Sequence, residues 1–260
     1  MKLIKTYLIN LDKDNDRLKW MDKQFKGFPY ERFPAITPET IPEKIKAIFP
    51  KENPVLIPTE QACFASHLAL YYKILESPKD PESFWLICED DLEINQNFLK
   101  IIEAIPADLC GDIIRLNDFP KTPTVKIAQV DSFKLIRYGK IPLGTGSYLI
   151  NQNGAQTIID CAREIRMPYD SYLRYIGRYT LKTTGIFPPP LIQDVFQTSS
   201  ISNNFNRLYK RKYSFKNPRK LRNNLHYIFE KLNFNYLKHS VLFALKKEKK
   251  DYKGNYILKS

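Results

Sequence analysis

Apolar and polar positions along this chain fall into blocks whose period switches repeatedly between that of a strand and that of a helix. Residues 3–11 form an apolar run that predicts a first strand, closed by a polar loop and cap at 12–16. Residues 17–26 then take a helical period, with Leu18, Met21 and Phe25 on one face. A second strand is expected at 30–36, after which Pro38, Pro42, Pro50, Pro54 and Pro58 punctuate loops and a short helical piece. Thr59 is the expected N-cap of a long helix reaching Ser77, rich in Ala, Leu and aromatic residues and so expected to be buried. Residues 84–91 read as a core strand that ends in three carboxylates, followed by a helix at 95–103 and a strand at 112–117. Beyond a polar, proline-containing stretch near 120–132, strands are predicted at 133–138 and within 144–150. A helix follows at 151–165, its apolar stripe formed by Ala155, Ile158, Ile159 and Ala162, then a late strand at 181–187 ended by three prolines. Strands alternating with helices predict an α/β sheet covered on both sides, and no internal repeat interrupts the pattern.

A chain of 260 residues can bury one substantial core with a small appendage. The formal charge of +13 suggests nucleic acid until it is located. Residues 1–204 hold 25 basic and 25 acidic side chains, while residues 205–260 hold 16 basic and 3 acidic ones, so the tail carries the entire excess. The expected division is therefore a neutral body over 1–204 and a basic tail over 205–260. Cys63, Cys88, Cys110 and Cys161 are scattered among apolar neighbours without a CxxC pair, which predicts reduced core thiols in place of a zinc site. The first eleven residues are too short and polar for a signal peptide, and no stretch approaches 18 uninterrupted apolar residues, so a reducing cytosolic setting is expected.

The acidic strand end is the most informative chemistry in the chain. Three adjacent acids after an apolar run call for a counter-charge. Glu89 and Asp91 stand two apart, so on an extended backbone they share a face. Hard oxygen ligands of that kind suit Mg²⁺ or Mn²⁺ carrying a phosphate-bearing substrate; a solvated acidic turn capping the next helix is the plainer alternative. Three further features have two readings each. Gly144-Thr145-Gly146 is a phosphate cradle or a turn, His67 a site residue or a satisfied core histidine, and Asp170 a catalytic carboxylate or a helix N-cap. From Pro218 onward, Leu221, Leu225, Ile228, Phe229 and Leu232, then Leu237, Val241, Leu242 and Leu245, are interleaved with Lys and Arg. That pattern predicts an amphipathic basic helix, which either lies on an anionic membrane surface or packs on the body of the chain.

Read in order, these pieces resemble glycosyltransferase family 25, which contains the lipooligosaccharide galactosyltransferases and the related collagen galactosyltransferases. The resemblance is carried by Tyr7 to Leu11 with Arg17, Phe33 to Ile36, Glu60-x-Ala-Cys63-x-x-Ser66-His67, Glu89-Asp90-Asp91, Gly146-Ser-Tyr148 before Gly154-Ala155, and Pro168-x-Asp170-x-x-Leu173. It spans roughly residues 3–200 and departs from the usual pattern at Ala62 and Cys88. It implies a GT-A-like nucleotide-sugar fold in which the acidic triplet plays the part of a DxD motif. Under that resemblance Asp91 is the main ligand of Mn²⁺ or Mg²⁺, Glu89 shares the metal or holds the ribose, and Asp90 supports them. Asp170 is the implied general base of an inverting transfer. Asn10 and Arg17 would face the nucleotide, Ser66 and His67 would bind the donor or support it, and Gly146 would line the donor site.

The resulting expectation is a cytoplasmic, peripherally membrane-associated enzyme moving galactose from UDP-galactose to a lipooligosaccharide core sugar, with the tail on anionic lipid. UDP-glucose or UDP-N-acetylhexosamine are the rival donors. A nucleic-acid-binding protein acting through the tail is the rival from another class. The neutral body, the lack of any RNA or DNA module and the helical placement of the tail's aromatic residues argue against nucleic acid.

Overall fold

A computed structural model describes residues 1–52, 55–117, 120, 124–193, 196, 249–250 and 256–257. The chain divides into two compact units, the first comprising Met1–Phe119, Lys126–Arg137 and Ile141–Val195, and the second Pro120–Val125, Tyr138–Lys140 and Phe196–Ser260. In chain order the elements of the folded body are β1 (Lys2–Asn10), α1 (Asn15–Gln24), β2 (Glu31–Pro34), α2 (Glu43–Lys46), α3 (Pro58–Leu75), β3 (Ser83–Glu89), β4 (Leu92–Ile94), α4 (Phe98–Glu103), β5 (Ile113–Arg115), β6 (Thr124–Val130), β7 (Phe133–Tyr138), β8 (Ser147–Ile150), α5 (Gln152–Cys161), α6 (Tyr169–Tyr179), β9 (Thr183–Phe187) and β10 (Leu191–Gln193). In the second unit β11 (Lys249–Lys250) pairs antiparallel with β12 (Tyr256–Ile257). The basic helix expected at 218–245 lies outside the described residues.

Eight strands form one sheet in the order β2-β1-β3-β8-β5-β9-β7-β6, and β4 pairs with β10 in a separate two-stranded ladder. β1 runs parallel to both β2 and β3, and β5 parallel to β9, while β8 lies antiparallel between β3 and β5. Successive side chains point to opposite faces, and both faces are apolar. Tyr7, Ile9, Trp85, Ile87, Ile113, Tyr148 and Ile150 join one core with α3, α5 and α6. Leu8, Phe84, Leu86, Cys88, Ile114, Leu116 and Leu149 join the other with Met21 and Phe25 of α1 and Phe98, Ile101 and Ile102 of α4. The helix-covered α/β sheet foreseen from the period switches is thus present, in keeping with the GT-A-like expectation.

Local starts and stops differ from the sequence reading. α3 begins two residues earlier than Thr59 would allow as a cap: Pro58 occupies the first helical position, and the Glu60 carboxylate accepts from the backbone N–H of Ile57 at 3.2 Å. The segment expected to be irregular near 120–132 contains β6. The helix predicted from 95 begins at Phe98, and the one predicted to 165 stops at Cys161, where Ala162 leaves helical backbone with ψ 81°. α5 is capped as its sequence suggests, with Asn151 Oδ1 accepting from the Gly154 N–H at 2.8 Å. All four cysteines are free thiols, as expected, but only Cys88 is a buried core thiol, while Cys63, Cys110 and Cys161 are partly exposed.

Candidate active site

Parallel pairing sets Ile9 of β1 opposite Glu89 of β3, so the two strands deliver their carboxyl ends side by side. That edge is where open α/β sheets bind ligands. The following residue of each strand, Asn10 and Asp90, meet beyond the ladder, with Asn10 Nδ2 donating to Asp90 Oδ2 at 2.7 Å. Asn10 is fully buried and engaged on both sides of its amide. Its Nδ2 also donates to the Asp14 carbonyl at 3.2 Å, and its Oδ1 accepts from Arg32 Nε at 2.9 Å. α1 contributes Arg17, whose Nη1 lies 2.8 Å from Asp90 Oδ1 and 3.9 Å from Asp91 Oδ2. Burial raises the Asp90 pKa, Arg17 and Asn10 pull it down, and the balance leaves it above the ordinary aspartate value. Asp90 is therefore the paired, supporting member of the triplet, and Asn10 is its holder.

Glu89 sits in a different environment. Its Oε1 accepts from the Thr145 hydroxyl and lies 3.6 Å from His67 Nε2, while its Oε2 accepts from Gln193 Nε2 at 3.0 Å. Burial opposes its ionisation, but His67, Thr145 and Gln193 together hold the carboxyl below the usual glutamate range. His67 is itself fixed from behind. Its Nδ1 shares a hydrogen with the Tyr148 hydroxyl at 2.8 Å, its ring stacks on Tyr169 at 4.0 Å between centroids, and Tyr148, Tyr169 and Tyr71 share hydrogen bonds among their hydroxyls. The histidine is 1 % exposed, so it supports Glu89 from inside the core.

Asp91 is the carboxylate left over. The strand ends at Glu89 and the chain bends, so strand alternation does not carry Asp91 onto the face of Glu89. The Gln193 side chain faces both acids. Asp91 is partly buried, with its Oδ1 shielded from solvent, and among the described residues no donor closes a hydrogen bond to that atom. Burial first, and then the Glu89 charge, push its pKa up to about 7 against the partial relief from Arg17. A buried carboxylate oxygen without a partner is costly unless a ligand supplies one. Among the described residues no group of three or more His, Cys, Asp or Glu side chains forms a ready metal cage. A Mg²⁺- or Mn²⁺-type cation is normally held by one or two carboxylates and completed by substrate phosphates and water. The unpartnered Asp91 oxygen fits that pattern, with Glu89 nearby but already engaged.

The remaining expected residues fall around this centre. Ser66 is buried within α3, donating to the Ala62 carbonyl at 3.0 Å and accepting from the Ile36 N–H at 2.9 Å. It ties the chain after β2 to α3. Gly146 presents its carbonyl to the Glu89 N–H at 2.8 Å. Asp170 is the second residue of α6, one past Tyr169, and the helix starts after Pro168 without a side-chain cap, so the N-cap alternative does not hold. Its Oδ1 accepts from the adjacent Ser171 N–H at 2.5 Å. Burial first, and then the charges of Glu89, Asp170 and Glu60, push up the pKa of the Cys63 thiol on α3. Gln193 and Arg32 belong to the site without having been singled out, while Thr145 and Tyr148 had been marked only as parts of the Gly144–Gly146 turn and the Gly146-Ser-Tyr148 motif.

No curated protein compared with the chain matches it. A family model described as glycosyltransferase family 25 (LPS biosynthesis protein) matches residues 3–173, from β1 into α6, a stretch that contains every site residue expected from the sequence. With its acidic centre at the carboxyl edge of a helix-covered α/β sheet and well over half its length matched, the chain belongs to glycosyltransferase family 25.

Proposed function

We propose that this glycosyltransferase of LPS biosynthesis moves galactose from UDP-galactose to a core sugar of lipooligosaccharide, inverting the anomeric carbon and using Mn²⁺ or Mg²⁺. The observation that carries the reading is Asp91, a partly buried carboxylate whose solvent-shielded Oδ1 has no partner among the described residues, beside two other acids at the sheet edge. A sugar nucleotide brings a diphosphate whose charge three carboxylates would repel. A bound divalent cation supplies the neutralisation of that diphosphate and of the charge growing on departing UDP. Asp91 would hold it, with Glu89 beside it. Asp90 is already committed to Arg17 and Asn10 and keeps the guanidinium aimed at the centre.

Asp170 is the proposed general base. It would take the proton of the acceptor hydroxyl as that oxygen attacks the anomeric carbon in line with the leaving diphosphate, and a single displacement of this kind inverts configuration. Its place at the start of α6, next to the tyrosine stacked on His67, supports this role. Galactose is the first donor to test because the sequence resembles lipooligosaccharide galactosyltransferases, and UDP-glucose and UDP-N-acetylhexosamine are the alternatives. The basic tail supports a peripheral location on the inner face of the cytoplasmic membrane, where a lipid-linked acceptor would be presented. Among the described residues no helix is long and apolar enough to cross a membrane.

The deciding experiment incubates the full chain with Mn²⁺, lipooligosaccharide and each UDP-sugar in turn, reads UDP release, and assigns the product anomer by NMR. The expected result is fastest turnover of UDP-galactose with a β-linked product. No transfer from any UDP-sugar, or a product that retains the donor's configuration, would overturn the proposal.

A further inference from the structure

Gln193 lies beyond the family-matched stretch, and its neighbourhood assigns it a part in the site. Antiparallel pairing of β10 with β4 sets it opposite Leu92, the residue after Asp91. From there its side chain is the last link of a hydrogen-bond chain whose direction is fixed from one end. The Ser147 backbone N–H can only donate, and it donates to Asn117 Oδ1 at 3.1 Å. That forces the Asn117 amide nitrogen toward Gln193, where Nδ2 donates to Oε1 at 3.1 Å. Gln193 must then offer its own nitrogen to Glu89 Oε2, which it does at 3.0 Å. Reversing either amide would set donor against donor, so neither can flip without losing two bonds. Gly146 explains how two side-chain amides meet in so small a space. A Cβ there would stand 2.6 Å from Gln193 Oε1 and 2.8 Å from Asn117 Nδ2, so any larger residue would displace the pair.

We propose that Gln193 is a positioning residue for sugar-nucleotide transfer, holding Glu89 as a fixed hydrogen-bond acceptor and so leaving Asp91 as the carboxylate that meets the donor's diphosphate. The inference rests on the function proposed above. Glu89 is gripped at both oxygens, by Thr145 and His67 on Oε1 and by Gln193 on Oε2. Without the Gln193 amide, Oε2 loses its donor in a partly buried setting, and Glu89 becomes free to turn and compete with Asp91 for whatever binds there. Partners that orient a metal-site carboxylate without touching the ligand characteristically change affinity or activity by about 10- to 100-fold.

The test uses the full chain and the variants Gln193→Leu, Asn117→Ala and the double variant. UDP binding in Mn²⁺ is followed by calorimetry, UDP-galactose turnover by its kcat and KM, and the fold by melting temperature. Gln193→Leu is expected to weaken UDP binding and raise the donor KM by about 10- to 100-fold. Asn117→Ala should act in the same direction, and the double variant should be no worse than Gln193→Leu alone in affinity or in melting temperature. Unchanged UDP affinity and KM in Gln193→Leu would overturn the positioning role, and additive losses would overturn the chain of amides. Failure of the wild-type protein to bind UDP with Mn²⁺ would instead refute the parent proposal and this role with it, while the melting temperatures would still decide whether the amides are coupled.

Discussion

Replacing Asp91 with Asn should make the metal-free protein more stable at alkaline pH while destroying its activity. The folded carboxyl has its pKa raised from 3.8 to about 7 by burial and the neighbouring Glu89. Between those values the folded state binds more protons than the unfolded chain, so stability falls as pH rises through the window and the loss is complete above it. At about 1.4 kcal/mol for each factor of ten in proton affinity, the full penalty is about 4 kcal/mol. Asn carries no charge to desolvate and escapes it. For a domain of this size that corresponds to a melting temperature higher by roughly 8–16 °C near pH 8. The advantage should shrink as pH drops and vanish below about pH 3, where the wild-type carboxyl is protonated in both states. Calorimetric melting of both proteins in EDTA across that range is the assay. A variant less stable than wild type near pH 8, or a difference that does not depend on pH, would refute the reasoning. Stability surrendered at a functional carboxylate is a familiar trade.

Three other outcomes are expected. Asp170→Asn should keep the melting temperature and UDP affinity but lower kcat by about 10²- to 10⁴-fold at saturating acceptor; near-normal kcat would remove it from the mechanism and turn attention to Asp194, which lies outside the described residues. Arg17→Leu should cost about 3 kcal/mol in urea unfolding, because it strands the Asp90 carboxylate of a pair whose side chains are each only 12 % exposed; a loss below about 1 kcal/mol would mean the pair behaves as a surface bridge. A chain ending at Ser202 should lose sedimentation with anionic vesicles yet still turn over a soluble acceptor, whereas undiminished vesicle binding would show that the basic tail is not the anchor.

The sheet was legible in the sequence where burial on both faces leaves no polar alternation to misread. β3 is such a case, since six of its seven residues, from Ser83 to Cys88, are buried. β6 was missed for the opposite reason: it is an edge strand of Thr, Lys and Gln among small apolar residues, buried only at its two ends, and its composition resembles a loop. Thr59 was misplaced as a cap because Pro58 competes for the same helix start and wins by needing no N–H there. The acids could be picked out as a site because three charges after an apolar run are anomalous on their own. Their division of labour could not. Asp90 finds Asn10 across 80 positions of sequence, and Glu89 finds Gln193 across 104, contacts that only the sheet order and the β4–β10 ladder create. Thr145 lay within a Gly-Thr-Gly turn already singled out, and Tyr148 within the Gly146-Ser-Tyr148 motif, so these two were the missed partners with a local signal.

The central claim is that the acidic strand end takes up a sugar nucleotide through Asp91 and a divalent cation. Calorimetric titration of UDP-galactose into the full chain, with Mn²⁺ and again with excess EDTA, tests it most directly. Binding that requires Mn²⁺ in the wild type and is absent from Asp91→Asn is the predicted result. Equal binding in EDTA, or an Asp91→Asn protein that binds as wild type does, would contradict it.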